Sequence, residues 1–347
     1  MPYWEQTLKE LLASHKIAGF SVAVTDRKKT VYAKGFGAES VERPTVSATA
    51  HSMYRIASLT KIVTGMVILR LCEMGKLDLD RPIAAYLPWL TLSRPEATAQ
   101  MTLRHLLSHT AGLPREYTPE GPREESALGA MLRENLPSLP LATLPNEGVH
   151  LYSNWGIHLA SYIAEVVTGK PYTVLARELV LDPLGMEKTT FDIREAITYP
   201  ISLPHVEDEN GKLRVCHRIK ENAARMAAGG LYSNTEELCL LARCLLTGGK
   251  NDKGKQILSP DSIAEMCRPH ATIDGENGDT YGLTMRHHHY GSHVLFGHLG
   301  SAPPYGGSLW VDPVSGYGVI TELNTQRDSL RFEIAEMIFS ELWNSHK

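Results

Sequence analysis

Segments with strand-like alternation stand at both ends of this 347-residue chain, and the long stretch between them carries helical periodicity. That arrangement predicts an α+β fold in which one antiparallel sheet is assembled from N- and C-terminal parts, flanked by helices, with an all-α region inserted. The sheet part covers about residues 1–57 and 205–347, the helical part about 58–204, and both belong to one domain spanning 1–347.

Locally, residues 3 to 16 place Trp4, Leu8, Leu11 and Leu12 on one helical face. Two β-like runs follow, Gly19 to Thr25 and Thr30 to Phe36, with Asp26-Arg27-Lys28-Lys29 as the hairpin turn. From Ser58 to Met74 apolar residues recur at helical spacing (Ile62, Met66, Leu69), and Gly75 stands where a C-cap glycine would, so Ser58 is predicted at a helix N-terminus. Helical patterns continue at Leu103 to His109, Ser126 to Glu134, Asn154 to Thr168 and Thr235 to Leu246. Strands are predicted at Tyr281 to Arg286, His293 to Phe296, Ser308 to Val311 and Tyr317 to Leu323, then a last helix from Ser329 to Trp343.

The formal charge of −4 and the absence of a Lys/Arg block exclude a phosphate-binding stripe, so nucleic acid is not an expected partner. The most apolar segment, Ile62 to Cys72, is interrupted by Thr64 and Arg70 and falls short of the roughly 20 residues of a membrane span. Met1-Pro2-Tyr3-Trp4-Glu5 lacks the basic and apolar regions of a secretory signal, which predicts a cytoplasmic protein as the sequence is written, or a periplasmic or secreted one if a leader has been removed. The five cysteines are scattered and odd in number, and read as reduced thiols.

Ser58-Leu59-Thr60-Lys61 is the one place where Ser is followed three positions later by Lys. On a helix the two share a face at its positive end, a pairing that can activate a serine, although the tetrapeptide alone also suits an N-cap serine beside a solvated lysine. Tyr152-Ser153-Asn154 adds a phenol and an amide at the start of another helix, and His298-Leu299-Gly300 precedes the small residue Ser301. Tyr232-Ser233-Asn234 and His289-Tyr290-Gly291 repeat two of these patterns. The copies at 152 and 298 are preferred because Tyr152 opens a helix, whereas Tyr232 follows Gly229-Gly230 in a structural turn and His289 sits in a hairpin.

The order Ser-x-x-Lys, Tyr-x-Asn, His-x-Gly resembles the serine β-lactamase and penicillin-binding-protein superfamily, especially its class C-like and D-aminopeptidase or esterase branches. Gly75 to Asp80, Leu103 to Leu113 and Gly229 to Ser233 extend the resemblance over nearly the whole chain. It implies the β-lactamase/transpeptidase-like fold and a serine hydrolase that cleaves a small amide, peptide or ester bond through an acyl-enzyme on Ser58. Lys61 and Tyr152 would share the handling of the serine's proton, an assignment the sequence leaves open. Asn154 would hold Lys61 or the substrate amide, the backbone N–H groups of Ser58 and Ser301 would form the oxyanion hole beside Gly300, and His298 would orient substrate. Because imidazole is only partly charged at neutral pH, His298 in place of a lysine weighs against penicillin hydrolysis. The alternatives are a true β-lactamase or DD-peptidase, or a non-catalytic binding or scaffold protein on the same fold. The expected partner is a small-molecule or short-peptide substrate, self-association is left open, and no cofactor or metal is implied.

Other patterns point elsewhere and fail on chemistry. His105 and His109 have zinc-pair spacing, but Leu106 replaces the glutamate of such a site. His287-His288-His289 is predicted to be a solvated hairpin, since a strand sends alternate members to opposite faces. Gly249 to Lys255 lacks the Ser or Thr of a phosphate loop, Ser40 stands where a dinucleotide motif needs its third glycine, and no Gly-x-Ser-x-Gly elbow exists.

Overall fold

In the computed structural model, which describes residues 4–115, 124, 126–217, 222–273 and 278–344, the two ends of the chain share one sheet. In chain order the strands are β1 (Gly19–Thr25), β2 (Thr30–Gly37), β3 (Tyr54–Arg55), β4 (His205–Glu207), β5 (Leu213–Val215) and β6 (Tyr232–Ser233). They continue with β7 (Ala271–Thr272), β8 (Thr280–Tyr281), β9 (Arg286–Tyr290), β10 (His293–Ala302), β11 (Tyr305–Asp312) and β12 (Tyr317–Leu323). Eight of them form the sheet β2-β1-β12-β11-β10-β9-β8-β7. The N-terminal hairpin joins the C-terminal meander through antiparallel β1–β12 pairing, with Phe20 opposite Leu323 and Thr25 opposite Gly318.

Period-two alternation sorts the sheet residues onto two cores. Phe20, Val22, Val24, Trp310 and Val319 meet Leu8 and Leu11 of the helix Trp4–Ser14, and Leu330, Ile334 and Ile338 of the helix Leu330–Asn344. Ala23, Leu309, Val311 and Ile320 face the other way, toward the helices Thr60–Glu73 and Thr235–Leu246. Each apolar side chain fully buried this way contributes about 1.5–3 kcal/mol. The helix Thr60–Glu73 is buried from Thr60 through Leu69 without interruption, so it runs through the interior and not along a surface. Any side chain in its first turn, polar or not, is carried inside with it.

Two expectations need correction. Tyr281 to Arg286 is not one strand: β8 ends at Tyr281, Gly282 N–H donates to Met285 O at 2.7 Å, and Thr284 takes φ +58° to turn the chain into β9. Nor is the triple histidine solvated, because β9 is an interior strand and helix Leu330–Asn344 covers one of its faces. His287 and His288 are buried and only His289 is exposed. His288 is held between Asp279 (Nδ1 to Oδ2, 3.1 Å) and Glu336 (Nε2 to Oε1, 2.9 Å). The five cysteines are free thiols. Among the described residues no helix is long and apolar enough to cross a membrane.

Candidate active site

Ser58 sits in a short 3-10 turn, Ala57–Leu59, that feeds the buried helix Thr60–Glu73. The preceding Ala57 has φ +51°, a conformation that costs an L-residue energy and persists only where its surroundings enforce it. Three contacts around it do so. Ile56 N–H donates to Leu231 O at 3.0 Å, Leu231 N–H donates to Thr60 Oγ1 at 3.2 Å, and Arg55 of β3 pairs with Tyr232 of β6. Strand β10 closes the other side so tightly that a Cβ on Gly300 would lie 2.6 Å from Ile56 O, which explains the glycine there.

One turn into the helix, Lys61 is wholly buried, with Nζ 2.9 Å from Ser58 Oγ and donating to Ala228 O at 2.7 Å. No ion pair holds it among the described residues, so burial, assisted by the charge of Arg225, pushes its pKa well below 10.5. Tyr152 arrives from the extended segment before helix Asn154–Thr168, and its hydroxyl donates to Ser58 Oγ at 2.9 Å. Burial raises this phenol above its usual 10, against weaker opposing effects of the Ser58 hydrogen bond and Arg115. The two groups beside the serine are thus displaced in opposite directions, toward a free amine and a protonated phenol at neutral pH.

The remaining predicted residues also come to this place, though not all in the expected manner. Asn154 borders the cavities on both sides of Ser58, whereas the hydrogen bonds of the Lys61 amine go to Ser58 and Ala228. Ser301 borders both cavities too, and its Oγ accepts from Gln326 Nε2 at 2.9 Å. Gly300 O accepts from Arg331 Nη1. His298 differs most from its expected part. Its Nδ1 lies 2.6 Å from Leu299 O, which can only accept, so Nδ1 carries the proton and Nε2 receives the Tyr281 hydroxyl at 2.8 Å. Burial, followed by the nearby Lys61, drives its pKa down to about 3. A neutral ring with both nitrogens engaged cannot anchor a substrate carboxylate.

Ser58 lies between a cavity of about 210 Å³, bordered by Arg55, Arg225, Gly229 and Pro303, and one of about 760 Å³, bordered by Arg115, His150, Tyr281, Arg286, Asp328 and Arg331. Another cavity of about 780 Å³, lined by Glu165, Tyr172 and Phe191 among others, contains none of the predicted residues. Among the described residues lining the two cavities at Ser58 are five arginines and one carboxylate, Asp328; Arg331 pairs with Asp328, and Arg286 pairs with Asp279 behind the wall. Sequence reasoning missed this, as it missed the Ala228 carbonyl, Tyr281 and His109. His109 lies inside the stretch Leu103 to Leu113 and Ala228 directly precedes Gly229 to Ser233, stretches that carry no chemistry by composition. The second Tyr-x-Asn is structural: Tyr232 is fully buried, and Asn234 caps helix Thr235–Leu246 by accepting from Glu237 N–H. His105 likewise completes a capping box with Thr102. Among the described residues no three His, Cys, Asp or Glu side chains gather as metal ligands.

A family model described as Beta-lactamase matches residues 4–338. Penicillin-binding protein 4 of Amycolatopsis lactamdurans is 25% identical over 268 residues, 76% of this chain and 68% of that protein. The chain spans only about 60% of the length of the next curated relatives. Among solved structures, the octameric penicillin-binding protein homologue from Pyrococcus abyssi superposes with TM-score 0.83 at 25% identity, covering 98% of this chain and 76% of that one. D-amino acid amidase from Ochrobactrum anthropi SV3 gives 0.78 at 24% identity over 100% of both chains, a likeness of fold.

Proposed function

The chain belongs to the beta-lactamase family, and from that premise we propose that it is a serine hydrolase acting on a small amide, peptide or ester, with Ser58 as nucleophile, Lys61 as base and Tyr152 as proton donor. The observation that carries this reading is Ser58 Oγ lying 2.9 Å from both Lys61 Nζ and the Tyr152 hydroxyl, with the two pKa values driven apart by burial.

The free amine of Lys61 takes the Ser58 proton as Oγ attacks the carbonyl carbon, and the oxyanion is received by the N–H groups of Ser58 and Ser301. Collapse breaks the C–N or C–O bond. Tyr152 gives its proton to the leaving group and is reprotonated by the Lys61 ammonium, which restores both groups. Water then repeats the sequence on the acyl-enzyme. Lys61 is suited to the base role because among the described residues no carboxylate pairs with its charged form, and Tyr152 to the donor role because burial holds its proton on. Asn154 lies where it can contact the substrate amide. His298 borders the larger cavity as a neutral ring held by Tyr281 and the Leu299 carbonyl.

Arg115, which borders the larger cavity and lies over the Tyr152 ring, supports a substrate that carries a carboxylate, so carboxylate-bearing peptides and β-lactams return to consideration despite His298. The names of the relatives, penicillin-binding protein and D-amino acid amidase, favour an amide as the scissile bond. The test is a serine-reactive phosphonate followed by peptide-mapped mass spectrometry, beside Ser58→Ala. An adduct on Ser58 that disappears in the variant is expected. No adduct, with the reagent active on a control hydrolase, would favour a binding or scaffold role. A panel of D-amino acid amides, D-Ala peptides, nitrophenyl esters and nitrocefin then ranks substrates.

A further inference from the structure

We propose that His109 is a positioning residue that aims the Tyr152 phenol at Ser58 by clamping residues 151, 152 and 153 at once. The proposal rests on the role of Tyr152 given above. His109 lies just past helix Leu103–Leu107 and adopts φ +59°, the left-handed region that only a few residue types enter readily. In that conformation its carbonyl accepts from Leu151 N–H at 2.7 Å. Its ring turns inward, and Nδ1 accepts from Ser153 N–H at 3.2 Å. Between these two bonds the imidazole packs on the Tyr152 ring, centroids 4.4 Å apart. Three parts of one residue thus hold three consecutive residues of an extended segment, the middle one bearing the reactive hydroxyl.

The bonding fixes the protonation state. A backbone N–H can only donate, so Nδ1 must present its lone pair and the ring is neutral with its proton on Nε2, which has no partner among the described residues. The charged or titratable groups around it point the same way. Burial, then Lys61, His150 and His298, lower its pKa well below 6.5, and the Tyr281 ring lies 4.9 Å away. An ordinary core histidine would need none of this directional pairing. A proton donor displaced by about 1 Å can lose on the order of 10²-fold in rate, which makes such a clamp consequential.

The experiment compares His109→Ala, His109→Leu and His109→Asn with wild type. Asn places Oδ1 near the position of Nδ1 and tolerates the left-handed backbone, so it keeps the acceptor without the ring. Rates on an amide and on a nitrophenyl ester are divided by the active-site titre from the phosphonate, which counts only folded enzyme. We expect the Ala and Leu variants to lose about 10²-fold in kcat on the amide, less than about tenfold on the ester, with KM unchanged, and the Asn variant to recover to within about tenfold of wild type. Equal losses on both substrates, no loss in the Leu variant, or an Asn variant no better than Leu would each overturn the clamp and leave His109 as packing. Absence of a Ser58 adduct in wild type would instead refute the underlying hydrolase reading.

Discussion

Tyr152→Phe removes one hydroxyl from the site and leaves the ring and its packing in place. Two consequences differ in size. The neutral hydrogen bond donated to Ser58 Oγ at 2.9 Å is worth about 0.5–1.5 kcal/mol, or roughly 2- to 13-fold in rate. The proton supplied to a departing amine is worth about 10²–10⁴-fold, roughly 2.7–5.4 kcal/mol of barrier. An amine cannot leave as an anion, whereas nitrophenolate can. The variant should therefore lose about 10²–10⁴-fold in kcat/KM on an amide and no more than about tenfold on a nitrophenyl ester. Because kcat/KM reports steps through acylation, deacylation does not blur the comparison. Equal losses on the two substrates would show that Tyr152 acts on the nucleophile and not on the leaving group, and the division of labour with Lys61 would have to be reversed.

Lys61→Met should cut turnover by about 10²–10⁴-fold or more while the protein stays folded. Since the native pKa of Lys61 lies below the unfolded value near 10.5, the unfolded chain binds the extra proton between the two, and wild type should gain stability relative to Lys61→Met as pH rises through that window. Melting curves of the pair from pH 7 to 10 that stay parallel would contradict this. Glu322 gives the opposite sign: it is fully buried, both carboxyl oxygens lack a hydrogen-bond partner among the described residues, and burial raises its pKa well above 4.5. Wild type should lose stability relative to Glu322→Gln as pH climbs above 4.5 toward that raised value, and denaturation at pH 5 and pH 8 checks it. Gly300→Ala would put a methyl 2.6 Å from Ile56 O and force β10 off the Ser58 turn, at a cost of about 1–3 kcal/mol and a fall in kcat. An unchanged melting temperature and rate would show that the strand yields freely.

The sequence alone determined whatever depends on neighbours along the chain. Helices Asn154–Thr168 and Thr235–Leu246 and the hairpin of β1 and β2 stand where periodicity and turn chemistry placed them. The three-residue spacing of Ser58 and Lys61 predicted a shared helical face. What the tertiary structure decided is the state of those groups. Lys61 becomes a candidate base because its helix is buried on every side, and that burial comes from elements far away in the sequence. Tyr152, 94 residues from Ser58, is brought to it by packing, and His298 is disarmed as an anchor by Tyr281, a partner with no motif of its own. His288 looked solvated because strand alternation does not reveal that β9 is an interior strand with a helix across one face. Periodicity records which way a side chain points. Desolvation and hydrogen-bond partners, which set pKa and tautomer, are supplied by residues brought close only when the chain folds.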